Sequence, residues 1–557
     1  MFIRVKTTPN SPRKSIQIVA SVRDGDKVRQ KIIRHVGIAE NDEELVKLKE
    51  VAQFIMQQIE QTHQPSLFDP EAAARQIIEA SKEQKNQENN ASESSMTVNL
   101  QQLREIQRTV IGIHDVYSEV YHQLGFDRLW GTSKRLLTRR DMLKNITLAR
   151  IAQPTSKRES VMCLERDFGV TLNLDSVYRM MDHLDEAAIE QVQKLAHCAT
   201  QQVLGEKLDV LFYDCTTLYF ESFEADSLRQ QGFSKDHKNQ ETQVLLALLV
   251  SRDGLPVGYD VFPGATFEGH TLIPVIDSLK QRFSIDRIVF VADSGLFNEK
   301  NLHALEDAGI EYVIGARLKN QSKVIKEQVL NLDLYHPLDQ ETKIQTITRP
   351  KSRRLIVSYN LSRARKDGHE REKAIAKAKK KLLSSSSANN FVSPSNYKKY
   401  LHIESPGEVT LNQEAIDASA KWDGLTGIIT NANQETPEKL LAHYHGLWQV
   451  EESFRINKHD LKVRPVFHWK PERIRAHLAI AFMSFCCVRH LEYRVKLQYK
   501  KLSPAVIRRE LSHVQISLLQ HTKTKQRYAL PSAISVDAQK IYQTMGLKPK
   551  TIAFLVD

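Results

Sequence analysis

The 557-residue sequence has little of what marks several classes of protein. Its five cysteines form no CxxC pair and no ligand spacing with histidine, which suits a reducing cytoplasm and argues against structural zinc. The longest strongly apolar run, 478–488, is far shorter than the ~20 residues of a membrane span. The amino terminus lacks the apolar stretch of a signal peptide. These absences predict a cytoplasmic protein without a membrane partner.

Acidic residues are fewer than basic ones, with 67 Asp and Glu against 79 Lys and Arg and a net charge of +12. The excess lies in two segments, because 349–381 has a net charge of +10 and 455–509 has +11, which leaves −9 for the rest. Two local basic segments on an otherwise mildly acidic chain are typical of proteins that bind the phosphate backbone of nucleic acids. Two solvated helical faces are the alternative.

The region 99–207 has a helical pattern without a strong strand signal. Within it, a short amphipathic run at 159–167 is broken by Gly169, and Asp175 precedes a second run at 176–184 as a candidate cap. Helix, glycine-containing connection and helix form the outline of a helix-turn-helix, although this connection is longer than usual. The pattern predicts site-specific DNA binding, and a helical bundle without DNA contacts is the alternative.

After residue 207 the pattern changes to short apolar runs. The runs 208–213 and 287–292 each end at an acid, Asp214 and Asp293, and further strand-like runs lie between and after them. Three successive strands and then alternating helix and strand predict a mixed α/β sheet covered on both faces. A carboxylate at the end of a buried strand is costly to desolvate unless it binds a cation or a strong donor, so both acids are candidate functional residues. A helix cap is the competing interpretation.

A third acid lies in a predicted helix that runs from Tyr444 to Lys458. Tyr444, Glu451 and Lys458 are spaced i, i+7 and i+14, which places them on one stripe of a regular helix, and Arg455 lies four residues after Glu451. An acid between an aromatic hydroxyl and two cations suits a metal ligand beside groups that hold phosphate. An ordinary surface salt bridge is the alternative.

These residues and their surroundings resemble the DDE transposases of bacterial insertion sequences, in the branch with a Y-x2-R-x3-E-x6-K signature. Tyr444, Glu451 and Lys458 match three positions of the signature, and Leu447 stands where the family has Arg. The contexts FYDCTTLYFES and VFVADSGLFNEKNL around the two Asp residues are also similar to the family's own. So are GFSKDHKNQETQV, DGLPVGYDVFPG and YHGLWQVEESFRINK, and the resemblance covers about 99–509.

The resemblance implies an RNase H-like mixed-sheet core, with the first Asp on the first strand, the second after the fourth strand and the Glu on a later helix. It implies that Asp214, Asp293 and Glu451 are the catalytic carboxylates and hold two Mg²⁺ ions, for which Mn²⁺ can substitute. Tyr444 and Lys458 would hold DNA phosphates. Our hypothesis is that Arg455 supplies the phosphate contact that Leu447 cannot make.

Together these observations predict an α/β protein with a largely β insertion domain in its catalytic core. The expected segments are a small α+β module at 1–82, a flexible linker at 83–98, a helical DNA-binding region at 99–207, the first part of the core at 208–316, the insertion domain with a basic block at 317–430, the second part of the core with the signature helix at 431–510 and a carboxy-terminal tail region at 511–557.

The implied function is that of a transposase. It would bind the terminal inverted repeats of its insertion sequence in double-stranded DNA, cut phosphodiester bonds and join the 3′-hydroxyl ends to target DNA. A homodimer in the synaptic complex and a bacterial cytoplasmic location, at the nucleoid when bound to DNA, are expected. The alternatives are a catalytically inactive or domesticated DNA-binding derivative and an RNase H-like nuclease without strand transfer.

Overall fold

The computed structural model describes residues 2–7, 14–24, 27–39, single positions between 45 and 56, 98–204, 210–221, 223–232, 240–282, 288–384, 398–404 and 408–556. Two compact units, 1–73 and 74–557, are distinguished by their internal contacts. The predicted linker at 83–98 and a low-complexity stretch at 384–396 lie, apart from one terminal residue each, outside the described residues.

The first unit contains a three-stranded antiparallel sheet. Its strands are β1 (Phe2–Thr7), β2 (Lys14–Asp24) and β3 (Lys27–Ala39), in that order. Buried side chains of β2 and β3, among them Ile16, Ile18 and Ala39, form its small core with Ala52. The three strands supply the β part of the α+β module that was expected at 1–82.

The second unit begins with a strand and five helices. They are β4 (Leu103–Val110), α1 (Gly112–Gln123), α2 (Lys134–Ala152), α3 (Lys157–Phe168), α4 (Leu174–Met181) and α5 (Glu186–Leu204). The helical prediction for this region is confirmed except for β4. Gly169 ends α3 with a positive φ of 67°, a conformation that glycine adopts without strain. The cap of α4 is Asn173 rather than Asp175, because the Asn173 side chain accepts a hydrogen bond from the Ser176 backbone N–H.

The centre of the second unit is a nine-stranded mixed sheet. Its first five strands along the chain are β5 (Val210–Tyr219), β6 (Gln243–Ser251), β7 (Pro256–Pro263), β8 (Val289–Ala292) and β9 (Glu311–Gly315). They lie in the order β9-β8-β5-β6-β7, and four strands from 317–430 extend the sheet beyond β9. Helices α6 (Leu272–Arg282) and α7 (Glu299–Asp307) follow β7 and β8. Strands β5, β8 and β9 are parallel to one another, and β6 is antiparallel to both of its neighbours, β5 and β7. This is the predicted mixed sheet, with β5 as its first strand and β8 as its fourth.

The region 317–430 differs from the predicted largely β insertion. Its elements are α8 (Lys323–Leu330), β10 (His336–Pro337), β11 (Thr342–Arg349), β12 (Arg353–Asn360), α9 (Leu361–Ser384), β13 (Leu401–Glu404), β14 (Glu408–Leu411), α10 (Gln413–Ala420) and β15 (Leu425–Thr430). Strands β10, β11, β12 and β15 extend the central sheet through pairing of β15 with β9. The longest element is the basic helix α9, so the region is mixed α/β and continuous with the core.

Helices cover both faces of the sheet. On one face, α6 and α7 enclose a core that includes Tyr213 and Phe290. On the other lie α11 (Pro437–His445), α12 (Trp448–Arg455), α13 (Pro471–Gln498) and α14 (Pro504–Ser512). Helix α13 is long and apolar enough to pass a test for a membrane span, but 94% of its most apolar window is buried inside the molecule. It is the central core helix of this face.

The carboxy-terminal region is folded rather than a tail. It contains β16 (Gln515–His521), β17 (Arg527–Pro531), α15 (Val536–Thr544) and β18 (Phe554–Val556). Together with β4 these strands form a four-stranded antiparallel sheet in the order β18-β17-β16-β4. The unpredicted β4 therefore completes a sheet with the far end of the chain.

Candidate active site

Two of the predicted carboxylates lie next to each other on neighbouring strands. Parallel strands β5 and β8 pair in a register that ends with Tyr213 opposite Ala292, and the next residue on each is Asp214 or Asp293. Neighbouring strands are about 4.8 Å apart. Both acids have the same orientation as the buried Phe212 and Val291 two residues earlier, toward the face covered by α11–α13. Strand β5 continues to Tyr219, so Asp214 lies within a strand and not at its end.

Local hydrogen bonds hold one oxygen of each carboxylate. Asp214 Oδ1 accepts from the Cys215 backbone N–H at 2.7 Å, and Asp293 Oδ1 accepts from the Gly295 N–H at 2.8 Å. Asp293 thereby caps a single 3₁₀ turn at 294–296, so the helix-cap alternative holds in part. On the opposite face of β5, burial raises the pKa of the Cys215 thiol to about 12, which keeps it protonated at neutral pH.

The signature segment is not one straight helix. Helix α11 ends at His445 and α12 begins at Trp448, and a π-helical turn follows at Ile456–Asp460. The backbone at Gly446 passes so close to β5 that a Cβ there would lie 2.5 Å from Phe212 Cζ. The predicted single helix from Tyr444 to Lys458 is therefore wrong, because its regular periodicity is interrupted on both sides of Glu451.

Tyr444 connects the strand acids to the signature segment. Its hydroxyl lies over Gly315, at the end of β9, where an added Cβ would be 2.4 Å from Tyr444 Oη and 2.9 Å from the Ser294 backbone N. Only glycine leaves room for this contact. The pKa of Tyr444 is raised, first by burial and then by the negative charges of Asp293 and Glu451. Both carboxylates are therefore close enough to act on the same phenol.

The three carboxylates offer only oxygen donors, which is the donor set that Mg²⁺ and other hard divalent cations prefer. Glu451 is exposed on α12, whereas Asp214 and Asp293 are half-buried. Over the described ranges, no group of three or more His, Cys, Asp or Glu side chains lies close enough together to hold a metal ion. The donor chemistry of the three carboxylates fits a divalent cation.

Arg455 is held away from Glu451. Its guanidinium donates to both carboxylate oxygens of Glu452 at 2.8 and 2.6 Å and lies 3.6 Å from Asp460. Glu452 lines a cavity of about 200 Å³, whose other lining residues include Trp448, Arg489, Glu492, Lys496 and Lys501. Arg455 thus makes the surface ion pair that was the alternative to the phosphate contact. Lys458 is half-buried in the π-helical turn.

Leu447, at the position of the family's Arg, is a core residue. Its side chain is 9% exposed and belongs to the apolar core that also contains Val450 and Phe454.

Two cations near the strand acids were not predicted individually. Arg317, just after β9, donates to the carbonyl oxygens of Ser294 at 3.0 Å and Gly295 at 3.5 Å, and so holds the turn that follows Asp293. Arg363, in the first turn of α9, is one of the charges that act on Tyr444. Arg317 comes just after β9, which is parallel to β8. Its place at the end of a predicted strand could therefore have indicated from the sequence that it lies near Asp293. The proximity of Arg363 depends on a long-range fold that no local pattern reveals.

Part of the basic charge in 455–509 is engaged in hydrogen bonds within the protein. Arg489 donates to the Gly254 carbonyl at 2.9 Å and to Glu492 at 2.5 Å, and Arg508 donates to the Asp460 carbonyl at 2.8 Å. In the other basic segment, Arg353 is bound by Glu306 and Glu299. A count of charges along the sequence therefore overstates the basic surface, because these arginines satisfy buried carbonyl and carboxylate oxygens.

The comparisons with known proteins concern both parts of the chain. Residues 205–487 match the family model "Transposase DDE domain", and residues 3–92 match "IS1634 family transposase, N-terminal domain". A solved structure described as "Cryo-EM structure of piggyBac transposase synaptic complex with hairpin DNA" is similar at 9% identity over 80% of each chain, with a TM-score of 0.34, too low to support an argument. No curated protein matches.

The match to the DDE domain spans more than half of the sequence and contains all three carboxylates. The chain belongs to the DDE transposases, enzymes that cut and join DNA with divalent metal ions. Its amino-terminal match makes it the transposase of an insertion sequence.

Proposed function

We propose that this transposase cuts DNA at the ends of its own insertion sequence and joins the freed 3′-hydroxyls to target DNA. The observation that carries the proposal is the register of β5 and β8, which brings Asp214 and Asp293 side by side beneath the signature segment. The influence of both Asp293 and Glu451 on Tyr444 supports Glu451 as the third acid.

In this proposal Asp214, Asp293 and Glu451 hold two Mg²⁺ ions. When bound, the ions would stabilise charge on the attacking and leaving oxygens of the phosphodiester. The chain's own part is to fix the acids: β5 and β8 hold two of them on a rigid sheet, and α12 supplies the third from an exposed position. Glu451 completes the site by a change of its side chain or of α12.

The phosphates on either side of the cut would be held by groups at the rim of the site. Tyr444 and Lys458 keep the role that the family signature implies. We add Arg363 and Arg317, since Arg363 acts on Tyr444 and Arg317 holds the turn after Asp293. Arg455 would contact phosphate only after release from Glu452.

Recognition of the element ends is assigned to the helix pair α3 and α4. The side chains of Arg158, Arg166 and Arg179 on this pair are exposed. A homodimer would bring two element ends together in the synaptic complex, in the bacterial cytoplasm at the nucleoid.

The test is cleavage of DNA that carries the element ends, with Mg²⁺ or Mn²⁺. We expect Asp214→Ala, Asp293→Ala and Glu451→Ala each to abolish cleavage and to leave DNA binding nearly intact, because affinity comes mainly from basic residues. Glu452→Ala and Glu221→Ala are the matched controls, since both are nearby acids, and they should keep most of the activity.

An active Asp214→Ala protein would contradict the assignment. A wild-type protein that binds the ends without cutting would favour the inactive derivative, and cutting without joining would favour the nuclease.

A further inference from the structure

The segment 461–470, between the π-helical turn and α13, exposes two large aromatic side chains. Phe467 and Trp469 are each 57% exposed, and the lysines at 462 and 470 are exposed as well. Three apolar side chains of the same segment, Leu461, Val463 and Val466, are buried and anchor it to the main core. The aromatic side chains are therefore presented by a well-anchored segment.

One face of the Trp469 ring packs against a buried cation, Arg229. The guanidinium of Arg229 lies 5.2 Å from the Trp469 ring centroid and 5.8 Å from the Phe220 ring centroid. Arg229 is 6% exposed, and Asp226 holds it through Nε at 2.7 Å and its backbone N–H at 2.6 Å. Phe220, Arg229 and Trp469 thus form a fixed stack.

The segment joins the catalytic sheet to the helix pair. The Val466 N–H donates to the carbonyl of Tyr219, the last residue of β5, at 3.4 Å. Tyr219 lies five residues beyond Asp214 in the strand, a distance of about 17 Å. At its other end, Arg473 binds Asp182 at 2.6 Å and lies 5.0 Å from the ring centroid of Tyr178 in α4.

We propose that Trp469 and Phe467 form a binding site for an unpaired stretch of DNA that flanks the cut. Trp469 would stack on a base, and Lys462 and Lys470 would contact the backbone. The inference rests on the proposed function, because it assumes that the cut is made at Asp214. Exposed aromatics between cations are what single-stranded nucleic acid requires, since every base has a stacking face.

The stack also argues against other occupants. A wedge that enters duplex DNA needs both faces of its ring free, whereas Arg229 covers one face of Trp469. The flanking lysines disfavour an apolar protein partner, because such a partner would have to desolvate them.

The experiment measures binding of fluorescent oligonucleotides to the full-length protein without metal, so that no cleavage occurs. The oligonucleotides are a single strand, an element end with an unpaired flank and the same end fully paired. We expect Trp469→Ala to weaken binding of the first two by about 5- to 150-fold and to change binding of the third by less than about twofold. Trp469→Phe should retain most of the affinity.

Trp448→Ala is the matched control, because Trp448 is 51% exposed on α12 and belongs to a different surface. Wild-type affinity of Trp469→Ala for the unpaired substrates would overturn the proposal. So would an equal loss on all three DNAs, which indicates a duplex contact, or a change of oligomeric state without a change in affinity. Failure of the proposed function is a different result, since a protein that never cuts element ends can still show the Trp469-dependent preference.

Discussion

At the scale of single residues, the signature segment shows how one position can match a pattern and still serve another purpose. Leu447 occupies the position at which the family signature has an Arg. In the structure its side chain is packed in the core beside Val450. A guanidinium there would have to be buried without a partner or displace the packing around it.

We therefore expect Leu447→Arg to lower the free energy of unfolding by about 2–4 kcal/mol, because it places a charge in an apolar site. Urea unfolding followed by circular dichroism measures the effect. Trp448→Arg is the control, because Trp448 is the next residue along the chain and its side chain is half exposed. This substitution should change the free energy of unfolding by less than about 0.5 kcal/mol. If the Leu447→Arg protein is as stable as wild type, the new side chain reaches solvent and the position is open to DNA.

At the scale of elements, the buried strands were predictable because their signal is local. The apolar runs before Asp214 and Asp293 predicted β5 and β8, and the order of the strands placed the two acids at one face. The bends in the signature segment were not predictable, since they depend on the contact of Gly446 with Phe212 and on a π-helical turn. Strand β4 was missed because its partner is distant in sequence.

Helix α13 carries a buried histidine that links stability to pH. His490 is fully buried, and its Nε2 lies 3.2 Å from Thr200 Oγ1, whose hydroxyl donates to the Pro256 carbonyl at 2.9 Å. Burial, followed by the charges of Arg494 and Arg489, lowers its pKa to about 3. The unfolded chain binds a proton near pH 6.5 and the folded chain does not, so this group removes stability as the pH falls from about 6.5 to 3.

We expect His490→Asn to lose less stability than wild type between pH 7 and pH 5, by about 2 kcal/mol. The comparison uses the slope of unfolding free energy against pH, so a constant cost of the substitution cancels. His513→Asn, at an exposed histidine, should retain the wild-type slope. Equal slopes for His490→Asn and wild type would mean that His490 is not neutral in the folded protein.

At the scale of the whole second unit, its first strand and its carboxy-terminal strands form one sheet. Strand β16 pairs with β4 along its length, and the N–H groups of Ile111 and Gly112 donate to the Val514 carbonyl at 3.0 and 3.1 Å. Strand β4 and the start of α1 are thus held by elements at the carboxy terminus. A fragment 99–207 would lack these partners, so end recognition has to be measured on the full chain.

Removal of 511–557 should therefore destabilise the whole second unit, because β4 and α1 lose the residues to which they are hydrogen-bonded. We expect the chain 1–510 to lose its cooperative thermal transition, whereas the chain 1–553, which lacks only β18, should melt within a few degrees of wild type. Differential scanning calorimetry makes the comparison. A cooperative transition in 1–510 at the wild-type temperature would show that the second sheet is dispensable.

The pairing of β4 with β16 also has a consequence for synthesis. Thr109 and Ile516 touch across 407 residues of chain, and a ribosome adding about 5–20 residues per second needs roughly 20–80 s to make that length. During this interval β4 has been synthesised but has no strand to pair with. A gene with a stop codon anywhere before β16 would consequently yield chains in which β4 stays unpaired, and we expect such chains to be removed by proteases and not to accumulate as short proteins.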